Sequence, residues 1–182
     1  MAIVAEGTRG RAYLEPSADH VRVSESAEPN WKPDFQLPHN PRDFKTPNYG
    51  LTTFADLFTN RQLTALCAFS DLIPEVQEKV YNHAVKRGMK DDGKGLADGG
   101  NGAKAYAEAI GVYMAIAVDK SADYWSTICS WHSGRDTVRN TFARQTIQMA
   151  WDYAECNPLS DSTGNWSSGI TWSRKVLEEL IT

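Results

Sequence analysis

Six of the chain's 8 prolines, Pro16, Pro29, Pro33, Pro38, Pro41 and Pro47, fall between residues 15 and 50, and no other feature of the sequence constrains the fold as strongly. Each proline removes a backbone donor and locks φ, so regular structure is not expected in so dense a cluster. Trp31, Phe35, Leu37, Phe44 and Tyr49 are interleaved with the prolines, a set that a free linker rarely carries. The expectation is an extended arm laid across a surface.

Upstream of the arm, residues 3–6 and 11–14 flank Gly7-Thr8-Arg9-Gly10 and predict a β-hairpin. A lone hairpin is marginal in water, so this one is expected to pair or pack elsewhere, in a polypeptide extending beyond Met1. Downstream the periodicity turns helical. Residues 54–58 suggest a short turn or helix, and Thr59 or Asn60 can cap the next. Leu63, Leu66, Ser70, Ile73, Val76 and Val80 recur at helical spacing, and Pro74 either kinks one helix or opens a second. Gly88 is a terminator.

Residues 90–102 form a glycine-rich loop. It has no Gly-Lys-Ser/Thr ending and no preceding strand, which favours a flexible connector over a phosphate cradle. Asn101 can cap a helix from Ala103 to about Ser130, roughly 40 Å long, with Tyr106, Ala109, Ile110, Tyr113, Met114, Ala117 and Ile128 as its apolar face. Small residues on several faces imply close packing on both sides. Val138, Phe142, Thr146 and Met149 suggest a short amphipathic helix over 137–149, which residues 151–155 extend and Asn157-Pro158 stops. A polar loop over 160–168 leads to a last helix over 170–181, which lacks a stop signal. The predicted architecture is mainly α: a bundle-like helical domain over 51–182, preceded over 1–50 by the hairpin and the arm.

Several functions find no support. Cys67, Cys129 and Cys156 are widely spaced, as are the four histidines, so no zinc knuckle or ribbon is visible. Reduced thiols fit a cytoplasmic chain. The start, Met1 to Ala5, is too short an apolar run for a signal peptide, and residues 110–118 are far short of a membrane span. Asn157-Pro158-Leu159-Ser160 lacks the second proline and the aromatic ring of the Asp/Asn/Ser-Pro-Pro-aromatic clamp that binds a flipped base. No Gly-x-Gly turn follows a buried strand, so no S-adenosylmethionine pocket is recognisable. His132 and Cys129, three residues apart, are at most a weak nucleophilic pair.

A net charge of -4 means that any nucleic-acid contact must come from a local patch. The richest candidate runs from Trp131 through His132, Arg135, Arg139 and Arg144. Two arginines one helical turn apart suit phosphates, and Trp131 suits stacking on a base. The competing reading is a solvated helix face with local salt bridges, Trp131 belonging to the core.

Three long blocks carry a resemblance. Residues 42–71 read RDFKTPNYGLTTFADLFTNRQLTALCAFSD, residues 95–113 GLADGGNGAKAYAEAIGVY, and residues 130–166 SWHSGRDTVRNTFARQTIQMAWDYAECNPLSDSTGNW. With Val4-Ala5-Glu6-Gly7 and Gly10-Arg11-Ala12-Tyr13, they resemble the middle of large bacterial and archaeal proteins described as adenine-specific DNA methylases, some with a zinc ribbon. The resemblance implies that the cofactor-binding half of such a protein precedes this region and that its Asp-Pro-Pro-Tyr motif follows. S-adenosylmethionine is then the cofactor of the parent, not of this segment, and none of the family's catalytic, cofactor or metal-binding residues falls on a position here. The implied partners are the rest of the parent chain and DNA. The implied role is a non-catalytic insertion that assists DNA binding or shapes the cleft; the alternative is a structural or dimerisation module bracing the catalytic domain.

Overall fold

The computed structural model describes residues 2–181. Among the described residues, five α-helices and two small antiparallel sheets make a mixed fold weighted toward helix. The predicted hairpin is present: β1 (Ile3–Gly7) pairs with β2 (Gly10–Leu14), Val4 opposite Tyr13 and Ala5 opposite Ala12. No third strand joins it among the described residues.

The arm departs from expectation in two places, a helix near its start and a 3-10 turn over Thr46–Tyr49. Residues 18–25 form helix α1 (Ala18–Glu25), because they lie in a proline-free gap opened by a good cap. Ser17 Oγ accepts from the His20 amide, and His20 Nδ1 accepts from the Ser17 amide. Between α1 and the 3-10 turn the arm is irregular and follows the helical part. Asn30 Nδ2 donates to Asp71 at 2.9 Å and Lys32 Nζ to Asn60 Oδ1 at 3.0 Å. Leu37 then enters the core with Leu57, Ile128 and Ile147, and Phe44 packs against that cluster. Trp31 and Phe35 stay exposed, so only part of the aromatic series serves to pin the arm.

Helix α2 (Asn60–Asp71) starts at Thr59 through a reciprocal cap: the Gln62 amide donates to Thr59 Oγ1, and the Thr59 amide to Gln62 Oε1. Helix α3 (Ile73–Lys86) follows after Leu72 alone. Pro74 sits in its first turn, where a missing N–H has no helical partner to lose. Gly88 lies past its end with φ +88°, the left-handed stop expected there.

Helix α4 (Ala103–Ala122) is central, packed by α2, α3 and α5 (Trp166–Ile181). Its buried positions are Ala103, Ala105, Ala107, Gly111, Ala117 and Ser121. Small side chains let the backbones approach. A Cβ on Gly111 would collide with Gln77 of α3, and one on Gly169 of α5 would meet Ala117 at 3.4–3.8 Å. The expected apolar face is therefore wrong at Tyr106, which is exposed, and at Ile128, which lies beyond the helix. The helix spans about 30 Å rather than 40 Å. It ends at Asp123 because that side chain bonds to a later segment instead of facing solvent on a further turn.

The cap of α4 is also not the predicted one. Gly102 holds that position, and the Lys104 amide is met by Asp91 Oδ1 at 3.2 Å. That bond is the main reason the Asp91 carboxyl is held below the usual range. Asp91 also accepts from the Gly93 amide, Asp92 from the Lys94 and Asn101 amides, and Glu108 of α4 from the Leu96 amide. The glycine-rich loop is thus internally bonded rather than a free connector. Amides that a phosphate would need are already taken by its own carboxylates.

Residues 137–149 hold no helix. Thr137–Arg139 is strand β4, paired with β3 (Ser130–His132), and the chain from 140 to 165 is irregular. The helix-like spacing of Val138, Phe142, Thr146 and Met149 loses to Gly134 and Asp136 in a turn followed by β-branched Thr137 and Val138. Asn157-Pro158 accordingly stops no helix; Asn157 Oδ1 accepts from the Leu159 amide in a local turn.

Candidate nucleic-acid interface

The β3–β4 hairpin carries most of the residues singled out from the sequence. Trp131 faces Val138 across the ladder, and His132 faces Thr137. Because strand side chains alternate, Trp131 and His132 project to opposite sides, and both are half-buried. The connecting residues 133–136 turn with the Arg135 amide donating to His132 O at 3.0 Å. Asp136 completes the turn at φ +48°, a left-handed position that Asp tolerates better than most residues. Arg135 therefore sits at the tip, and Arg139 ends β4 opposite Ser130. They are not neighbours on a helix face, which corrects the geometry expected from their spacing.

The hairpin is held from both sides. On one, Ser130 bridges to Tyr153 and the Ala154 amide donates to Cys129 O at 2.9 Å. Glu155 then receives two bonds from Arg61 of α2, at 2.7 and 2.8 Å. This paired, forked geometry is the strong form of an ion pair, and the Arg61 pKa is raised, chiefly by that hydrogen bonding. On the other side stands the buried Asp123 at the end of α4. Its carboxylate accepts from the Phe142 amide at 2.7 Å and from Asn140 Nδ2 at 2.8 Å, and its carbonyl from the Thr141 amide at 2.7 Å. Buried Ser126 and Thr141 share a 2.6 Å hydroxyl bond beside it. Residues 140–142, immediately after β4, are thereby locked to α4. The sequence reading missed Asp123, Ser126, Thr141 and the Arg61–Glu155 pair, since partners 15 to 94 residues apart leave no local signal.

The three arginines are exposed, and among the described residues none is paired with a carboxylate. The competing expectation, local salt bridges along a helix face, thus fails on both counts. Arg144 lies apart from the hairpin, three residues before a parallel bridge between Ile147 and Phe44. The Lys45 amide donates to Ile147 O at 2.9 Å, and the Ile147 amide to Asp43 O at 3.1 Å. Because that bridge is parallel, Arg42 and Arg144 approach it from the same end.

Cys129 and His132 do not share a helix face either. Cys129 is fully buried, with its thiol against Tyr124 O at 3.1 Å and Thr141 Oγ1 at 3.4 Å. Burial, reinforced by Cys129 and Glu155, pushes the nearby Cys156 thiol up to about 12. It stays protonated and unreactive at neutral pH. Its stabilising contribution is complete below pH 9, the ordinary value, and is lost as pH climbs toward 12. Alkylation of the native protein at pH 8 is expected to label Cys67 alone, with Cys129 and Cys156 reacting only on unfolding. Mass spectrometry showing rapid native labelling of Cys156 would contradict this packing.

Among the described residues, no group of three or more His, Cys, Asp or Glu side chains is placed to hold a metal ion, and no helix is long and apolar enough to cross a membrane. No family model, no curated protein and no solved structure matches the chain.

Proposed function

We propose that this chain is a non-catalytic accessory region of an adenine-specific DNA methyltransferase and that it contacts DNA through Arg135, Arg139 and Arg144. The observation that carries the proposal is a set of three exposed guanidiniums without carboxylate partners among the described residues, two of them on a short hairpin clamped by a buried network. The resemblance of the sequence blocks supplies the enzyme class, with S-adenosylmethionine belonging to the parent protein. Fixed, unpaired cations release counterions when they meet phosphates, so binding of this kind weakens steeply with salt. His132, in the strand pair that borders the turn, and Trp131, one pair below it, are half-buried.

The test is anisotropy of a labelled duplex over a salt series. The wild-type chain is expected to bind with a steep salt slope. The triple variant R135E/R139E/R144E is expected to flatten the log–log slope by about 2 to 3, about 0.9 for each phosphate that is no longer neutralised. Salt-insensitive or undetectable binding by the wild-type chain would sink the gripping role.

A bracing or dimerisation surface is the second reading. It is favoured by Trp172, Val176 and Leu180, which are exposed at i, i+4 and i+8 along one stripe of α5. Sedimentation decides it: a strict monomer, with no loss of stability when the stripe is made polar in the full-length protein, removes this reading.

A further inference from the structure

We propose that Tyr49 and Trp151 form a stacking ledge for the bases of single-stranded nucleic acid, an inference that rests on the DNA-contacting role proposed above. The two rings meet edge to face, with centroids 4.9 Å apart and planes at 84°. Both remain exposed, Trp151 at 73%. An indole this open but held by a second ring is oriented before any ligand arrives, which lowers the ordering cost of stacking.

The two segments that carry the rings also carry cations. Segments 44–49 and 147–151 run from the Phe44–Ile147 bridge to the two rings, while Arg42 and Arg144 lie on the other side of that bridge. Trp151 is seven positions after Arg144, at most about 25 Å of chain. Segments 40–51 and 135–153 together hold five Arg or Lys against three Asp, a surplus of +2 on a chain of net charge -4. Cations that track a phosphate backbone, with aromatic faces for the bases, are what sequence-tolerant single-strand binding requires. Arg42 lies 3.9 Å from Asp43 and Lys45 Nζ donates to Pro41 O, so an apolar protein partner would leave Arg135, Arg139 and Arg144 without a counterpart.

The experiment compares a labelled oligo-dT with a duplex of equal length, following anisotropy and tryptophan emission. Oligo-dT is expected to quench the emission of the wild-type chain. Trp151→Ala is expected to lose most of that quenching and about tenfold in oligo-dT affinity, with duplex affinity unchanged. Tyr49→Ala is expected to lose less, and Trp151→Phe to retain most of the binding. Because Trp151 is exposed, a circular-dichroism melt of each variant is expected to match the wild type; if Trp151→Ala does not fold, Trp151→Phe and Tyr49→Ala carry the test. Full oligo-dT affinity and quenching in the folded variants, with duplex binding intact, would overturn the ledge while leaving the arginine contacts standing. Absence of binding to either nucleic acid would overturn both.

Discussion

Trp125→Ala is expected to lower the free energy of unfolding by about 3–5 kcal/mol, the usual loss when a large buried ring is cut to a methyl group. Domains of this size are stable by about 5–15 kcal/mol, so the loss removes between about a fifth and all of the stability. Trp125 is 1% exposed and lies just past the end of α4. Its ring approaches Phe69 of α2 at 5.4 Å, and Phe69 stacks on Trp166 at the start of α5 at 4.5 Å. Three rings thus join three helices. The indole Nε1 also donates to Gly164 O at 2.7 Å, fixing the irregular chain that leads into α5. Trp125→Phe keeps most of the ring and orphans that carbonyl, so a smaller loss of about 1–3 kcal/mol is expected. Urea unfolding followed by circular dichroism measures both. A loss under about 1 kcal/mol for the alanine variant would mean that the ring cluster does not organise the fold.

Asp123→Ala is the second large effect, expected at about 2–4 kcal/mol. Bonds to a charged acceptor contribute more than neutral ones, and removing the carboxylate leaves the Phe142 amide and the Asn140 side-chain amide without their partner in a poorly solvated place. Lys120, at 3.5 Å and half exposed, adds little. Asp123→Asn keeps one acceptor and is expected to recover about half of the loss. The stability change should be accompanied by faster hydrogen exchange at the amides of Thr141 and Phe142, both of which donate to Asp123. Duplex binding should weaken too, since Arg139 ends β4 immediately before these residues. Unchanged exchange at those two amides would show that the hairpin is held by its strand pairing alone.

Local chemistry was legible from residue order wherever the determining partners lie within about four positions. The hairpin turn between β1 and β2, the Thr59 cap, the entry of Pro74 at the first turn of α3 and the stop at Gly88 all belong to this kind. So does the small-residue character of α4, which announced close helix packing before its neighbours were known. The proline cluster correctly excluded long regular elements, yet it hid α1, because one proline-free stretch with a serine cap suffices for two turns.

What residue order did not decide is where α4 ends and what residues 130–165 become. A period of 3.6 in Val138, Phe142, Thr146 and Met149 carries no information about Asp123, whose carboxylate and carbonyl together capture residues 140–142 after the hairpin. The candidate arginines were singled out by type, and the helix face expected for them is absent. Tyr49 and Trp151, 102 positions apart in the sequence, meet only through the Phe44–Ile147 bridge. Residue order determined the local caps, turns and amphipathic faces, whose energies act over one turn of chain. Tertiary structure alone decided the hairpin, the clamp and the aromatic pair, because a contact between distant segments forms only after the loop between them has been closed and the rest of the core holds it shut.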